Sequence, residues 1–402
     1  MTLISAHETS FPPSRKRHSF RRYFASMKPL VSATFLTLAS GSIGAQAAEI
    51  GATFEKPCPF GDCSAGIAFT FLGETSIQTG FSEADVEFGG ISGLDFDQAT
   101  GRFVALSDDR AERGPARVYE LDVDLSAQGL QGVSVRRHIS LLDVGDIPFA
   151  PQSVDPEALR LGPEGFYWTS EGGGSSQLPP SVRVSFPDGK HLREFALPDG
   201  FAPTAEGSSG IHDNLAFESL TMLPSGDVLV ALEAALQQDG PKPGLMLGSP
   251  ARMVQFDVLS GKPKAQYVYM ISPVPQAGVD GEKAMNGLSE MLALEDGRIL
   301  TVERSFAEGA GNTIKIFMVD LSNATDVSHI SSLARHEDLI VPARKTEVLD
   351  LNGIGLRPDN IEAMAIGRAG DGTEILLLAA DNNFSARQKS QFFAFEIVQR
   401  LQ

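Results

Sequence analysis

The sequence has 402 residues, 42% of them hydrophobic and 21% charged, with 40 Gly, 24 Pro and a formal net charge of −18. This is the composition of a turn-rich globular chain with no collagen-like or low-complexity period, and it favours many short strands over long helices. The acidic balance excludes a nucleic-acid binder, which would hold its polyanion mainly through Lys and Arg, and suits a protein that collects cations.

In chain order, residues 1–47 carry six basic residues (Arg15, Lys16, Arg17, Arg21, Arg22, Lys28) and one acid (Glu8). A mostly apolar run over 29–45 follows, ending in Ala45-Gln46-Ala47. This pattern predicts an export signal cleaved near Ala47/Ala48, hence a periplasmic or secreted protein whose formal charge falls to about −23 once the signal is removed. Arg21-Arg22-Tyr23-Phe24 resembles the twin-arginine export motif without its usual following Leu and Lys; a true start at Met27 with a general secretory signal is the alternative. No Cys follows the apolar run to take a lipid anchor, and no later segment approaches the roughly 20 apolar residues of a membrane span, so no stable membrane insertion is expected.

Residues 48–84 form an expected N-terminal segment. Its Cys58 and Cys63 have no neighbouring His with which to complete a structural zinc site. A disulfide closing a small local loop in an oxidising compartment is the expected pairing.

From residue 85 to 402 one layout recurs five times: a polar residue opening an apolar strand, a Gly-containing turn, then a second apolar strand running into an acid. The opening positions are Ser92, Glu157, Glu218, Glu290 and Glu362, at steps of 65, 61, 72 and 72 residues. The acids that end the second strands are Asp109, Glu171, Glu233, Glu303 and Asp381. Third strands follow over 116–121, 182–186, 253–258, 314–321 and 392–397, and fourth strands over 133–141, 193–197, 265–271 and 346–351. Four short-turned strands repeated in sequence predict an all-β fold, a β-propeller of four-stranded antiparallel blades. Five blades are counted. The fifth lacks its own fourth strand, which the apolar segment 68–77 is placed to supply, closing the ring and removing its two open ends. A sixth, divergent blade in 48–89 or 320–360 is the alternative.

In such a ring the inner strands line an axial channel. Placing Glu157, Glu218, Glu290 and Glu362 at their starts, with Asp109, Glu171, Glu233, Glu303 and Asp381 close by, predicts a ring of carboxylates at one mouth. Crowded like charges raise one another's pKa unless cations neutralise them, so a metal or a basic cluster is implied, and oxygen-only ligands point to Ca²⁺ before Zn²⁺. For each Glu taken alone, the alternative is a hydrogen bond that fixes neighbouring blades. Arg110, Arg304, Arg387 and Lys389 follow second-strand acids closely, either to clamp an anion or to pair with the ring. Asn214, Asn360, Asn382 and Asn383 offer neutral oxygens, and His212 is a candidate base or a turn residue paired with Asp213. No G-x-S-x-G elbow, H-E-x-x-H motif or P-loop occurs.

Several stretches resemble a known family. They are Glu164-Gly165-Phe166-Tyr167-Trp168-Thr169-Ser170-Glu171-Gly172, Asp213-Asn214 with Phe217-Glu218-Ser219-Leu220, and Gly287-Leu288-Ser289-Glu290-Met291 with Val302-Glu303-Arg304-Ser305. Asp359-Asn360-Ile361-Glu362, Ala380-Asp381-Asn382-Asn383-Phe384 and Gln391-Phe392-Phe393-Ala394-Phe395 complete the set. Over about residues 85–398 the chain resembles the phytase-like proteins, exported bacterial proteins described as having the esterase-like activity of phytase. The resemblance implies phosphoester hydrolysis. The expected function is an exported Ca²⁺-dependent hydrolase of a small phosphate ester, with Glu218 and Glu290 catalytic and Arg304 and Arg110 as phosphate clamps. Two alternatives stand beside it: a calcium-propeller lactonase or carboxylic ester hydrolase, and a non-catalytic propeller that binds a ligand or protein around structural Ca²⁺.

Overall fold

The computed structural model describes residues 48–56, 66–126, 128–281, 283–369 and 372–399. The signal at 1–47 and the Cys58/Cys63 pair lie outside them. Five antiparallel sheets follow one another as blades. The first takes Ile91–Asp97, Arg102–Ser107, Arg117–Ser126 and Gly129–Ser140 from inside to outside, and the second takes Pro156–Gly162, Gly165–Ser170, Ser181–Ser185 and His191–Glu194. The third is Phe217–Met222, Val228–Leu232, Ser249–Asp257 and Lys262–Ile271, and the fourth Ala284–Ala293, Ile299–Ala307, Gly311–Asp320 and Arg344–Asp350.

The fifth blade joins both ends of the chain. Asn360–Arg368, Glu374–Asp381 and Lys389–Gln399 supply three strands, and Ile67–Gln78 pairs antiparallel with the last of them from Ile67 opposite Gln399 to Gln78 opposite Lys389. The expected closing strand is therefore present. Thr53–Phe54 adds a short fifth strand outside it. The ring has five blades, and neither segment proposed for a sixth builds one: 48–89 supplies the clasp and a small hairpin, while Arg344–Asp350 is the outer strand of the fourth blade. The described helices are three 3-10 turns of three residues, and no helix is long and apolar enough to cross a membrane.

The second strand of each blade is apolar nearly throughout because neighbouring blades cover both its faces; Val228–Leu232 is wholly buried. Separate apolar clusters fill the joins between blades. Trp168 stacks edge-on against Phe149 between the first and second, and Phe69 and Phe71 meet Phe395 in the fifth.

Two features of the inner strands shape the axis. Each carries a β-bulge near its start, at the steps Ile91/Gly93, Pro156/Leu159, Phe217/Ser219, Leu288/Glu290 and Ile361/Ala363. A bulge turns one extra side chain off the period-two alternation. Deeper in, Arg160 reaches across the ring from the second blade to Glu290 of the fourth at 3.1 Å, and also donates to the carbonyls of Leu94 and Met291. This buried pair plugs the channel and makes the mouth a cup.

Candidate functional site

The residues skipped by the bulges are Ser92, Glu157 with Ala158, Glu218, Ser289 and Glu362. On the second strands, the positions that directly follow the partner of the residue before each bulge are Asp108, Glu171, Glu233, Arg304 and Asp381. The two sets form the wall of the cup. Where a blade has no bulge carboxylate, its serine ties the ring together: Ser92 Oγ donates to the Pro156 carbonyl at 3.4 Å and Ser289 Oγ to that of Ile361 at 3.0 Å. Small residues make room for the acids. A Cβ on Gly287 would sit 2.3 Å from Glu233 Oε1, and one on Gly90 would sit 2.0 Å from Asp108 Oδ1.

Three groups of carboxylates converge so that one oxygen from each lies within 4.8 Å of the others: Asp108, Glu362 and Asp381; Asp155, Glu157 and Glu171; and Glu171, Glu218 and Glu233. Against these eight acids stand two arginines. Arg304 lies between Glu233 at 3.0 Å, Glu362 at 3.1 Å and Glu218 at 3.9 Å. Arg110, half-exposed at the rim, grips Asp155 through both its Nε and Nη2 at 2.7 Å and donates to Asn214 Oδ1. The remaining negative charge has no partner. Burial, followed by mutual repulsion, pushes Glu157, Glu171, Glu218 and Asp381 well above the usual carboxylate range. Burial also takes Asp108 to about 8, whereas Arg304 limits Glu233 to about 7 and Arg110 limits Asp155 to about 6.

The clusters are therefore able to chelate a divalent cation. Their donors are all hard oxygens, and Glu171, shared by two groups, accepts the Ala216 amide through Oε1 at 2.7 Å while its buried Oε2 has no hydrogen-bond partner among the described residues.

Six of the nine expected metal ligands come together: Glu157, Glu171, Glu218, Glu233, Glu362 and Asp381. Asp109, Glu290 and Glu303 do not, and each is displaced by one residue from its ring position. Asp109 bonds the buried Arg117 at 2.6 Å and caps the amides of Glu112 and Arg113. Glu290 faces Arg160 in the plug, where burial outweighs the arginine and raises its carboxyl to about 8. Glu303 accepts from Tyr269, the Ser272 amide, Asn286 and Lys345 between the third and fourth blades. The bulge accounts for Glu290, because one residue of slip moves a side chain to the other face of a strand; Asp109 and Glu303 lie one residue beyond and one residue before the second-strand positions, Asp108 and Arg304, that face the cup. Two ring acids went unselected, Asp108 and Asp155, although Asp108 adjoins Asp109 and Asp155-Pro156 opens a repeat. Asn360 and Asn383 hold Asp381, Asn382 Oδ1 accepts from Gly90 and Phe384, and His212 leaves its Nε2 unpartnered in a nearby loop.

The model of the phytase-like family, described as "Esterase-like activity of phytase", matches residues 86–384. The chain belongs to this family. No curated protein matches the chain in sequence. Solved structures of similar fold include an endo-arabinase from Bacteroides thetaiotaomicron VPI-5482, 10% identical with a TM-score of 0.40, covering 79% of this chain and 97% of its own. An endo-1,4-beta-xylanase from the same organism is 11% identical with a TM-score of 0.42, covering 76% and 90%. A protein of unknown function from Dyadobacter fermentans DSM 18053 is 12% identical with a TM-score of 0.40, covering 83% and 100%. At these identities the likeness is one of fold.

The phosphate-ester hydrolase expected of this phytase-like chain is corrected, and its ester partners go with it. Arg304 and Arg110 are not free to clamp phosphate, since carboxylates already hold their guanidinium groups.

Proposed function

We propose that the cup is a calcium-dependent carbohydrate-cleaving site whose own carboxyls serve as acid and nucleophile on a glycosidic bond. The observation that carries the reading is the pair Asp155 and Glu157, two residues apart across one bulge. Arg110 favours the ionised form of Asp155, while burial beside Glu218 keeps the proton on Glu157. Burial raises both, but Asp155 only to about 6 and Glu157 well above the usual carboxylate range, so that near neutral pH one is ionised and the other protonated, as glycoside hydrolysis requires. Their oxygens lie within 4.8 Å of each other, a spacing that suits a retaining pair and leaves no room for a water between them. Glu157 donates its proton to the leaving glycosidic oxygen as the carbon–oxygen bond breaks and Asp155 bonds to the anomeric carbon; Glu157 then takes a proton from the water whose oxygen displaces Asp155. Arg110 orients the nucleophile. Glu171, Glu218 and Glu233 would hold the calcium ion, which would supply the positive charge that keeps these three ligands ionised and a coordination site for vicinal hydroxyls. Residues 1–47 are read as the export signal, and recovery of mature protein from the periplasm with Ala48 at its N-terminus tests that.

The decisive assay is release of reducing ends from a panel of plant and bacterial polysaccharides and aryl glycosides, with calcium and with chelator. Glu157→Gln is expected to slow turnover by roughly 10²–10⁴-fold, least on aryl glycosides whose leaving group needs no proton. Absence of reducing ends from every substrate overturns the proposal.

A further inference from the structure

Beside the cup lies a groove of about 520 Å³ lined by Asp213, Asn214, Lys242, Lys283, Met285 and Asn286 among others. It opens from the rim at the point where Asn214 accepts from Arg110. Its two lysines differ from the other cations near the mouth. Arg110, Arg304 and Lys345 are each paired with a carboxylate, whereas the ammonium groups of exposed Lys242 and Lys283 form no ion pair or hydrogen bond among the described residues. They lie near enough to the cup for their charges to lower the Glu233 carboxyl. The one acid among the described residues of the groove wall, Asp213, turns Oδ1 to the amide and hydroxyl of Ser175, both at 3.0 Å.

We infer that this groove holds the carboxylate of an acidic sugar unit next to the bond cleaved in the cup, so that the substrate is a uronate-containing chain. The inference rests on the carbohydrate reading above. Among the described lining residues, two lysines against one aspartate leave a single positive charge, which suits the one carboxylate of a uronate unit. Asn214 adds a polar contact at the rim, and Met285 presents an apolar surface to the sugar ring.

Calorimetric titration of Glu157→Gln protein, inert but folded, with trigalacturonate and with neutral galactotriose at fixed calcium tests this. Trigalacturonate is expected to bind more tightly and with strong salt dependence. Lys242→Gln/Lys283→Gln added to that protein should weaken trigalacturonate about tenfold while leaving galactotriose unchanged, and Lys242→Arg/Lys283→Arg should retain the preference. Equal affinity for the two sugars, or equal loss of both in the Gln variant, overturns the groove inference and spares the carbohydrate reading. Binding of neither overturns both.

Discussion

Eight carboxyls packed around two arginines must keep protons or acquire a cation, and the alternative chosen depends on pH. In the unfolded chain these groups titrate near pH 4; in the fold Asp155, Glu233 and Asp108 are raised to about 6, 7 and 8. A raised folded pKa means the native state binds protons more tightly. Its contribution to stability is complete below the unfolded value and is lost as pH rises through the folded ones. With chelator, the Tm followed by circular dichroism should therefore fall steadily from pH 5 to pH 8, and excess calcium should flatten the fall by standing in for the protons. A Tm that is level or rises over that range in chelator would contradict this electrostatic account. A second contrast separates cup from plug. Above pH 8, where Glu290 is ionised, Glu290→Gln strands the buried Arg160 and should cost about 3–5 kcal/mol in denaturant unfolding. Glu218→Gln removes a charge that lacks a dedicated partner, so in chelator it should be close to neutral or stabilising. Equal losses in the two variants would show that the plug and the cup are not distinct.

At the scale of the strand, the bulge decides which residues see the axis. It also sets the limit of what the repeat could reveal. Ser289-Glu290, Asp108-Asp109 and Glu303-Arg304 are each pairs of adjacent polar residues at a strand end, and a pattern of polar then apolar positions does not say which member the extra bulge residue turns inward. Two repeats with an unambiguous single acid, at Glu218 and Glu362, could have set the alignment: both directly follow the last residue paired before the bulge, as Ser289 does and Glu290 does not. That alignment would have brought Arg304 into the ring as its one cation and explained why Gly faces Glu233. Gly287→Ala should leave the fold intact, since the atom its Cβ meets is the end of a side chain, but push the Glu233 carboxyl aside and weaken calcium binding about tenfold. Gly132→Ala, whose Cβ meets nothing within 4 Å, is the control. Calcium titrations in which the two variants behave alike would remove Glu233 from the cation site.

For the molecule as a whole, the five-fold layout and the clasp were legible because they depend only on apolar strands recurring between Gly turns, a signal that survives a slip of one residue. The cross-ring Arg160–Glu290 pair was not, because two residues 130 positions apart carry no local pattern. Closure has an energetic consequence. Ile67, Phe69 and Phe71 are buried against the fourth and fifth blades, and fully burying each contributes about 1.5–3 kcal/mol. Together they match much of the 5–15 kcal/mol that holds a typical domain folded. Removing Ile67–Gln78 would also leave Lys389–Gln399 as an open, apolar edge free to pair with another chain. A protein beginning at residue 80 should therefore lose its cooperative melt and elute as aggregate in size-exclusion chromatography. Phe69→Ala/Phe71→Ala in the full-length chain keeps the edge covered, so it should stay monomeric with a lowered Tm. A truncated protein that melts cooperatively as a monomer would mean that the blades hold the ring without the clasp, their stability coming from the joins between neighbours alone.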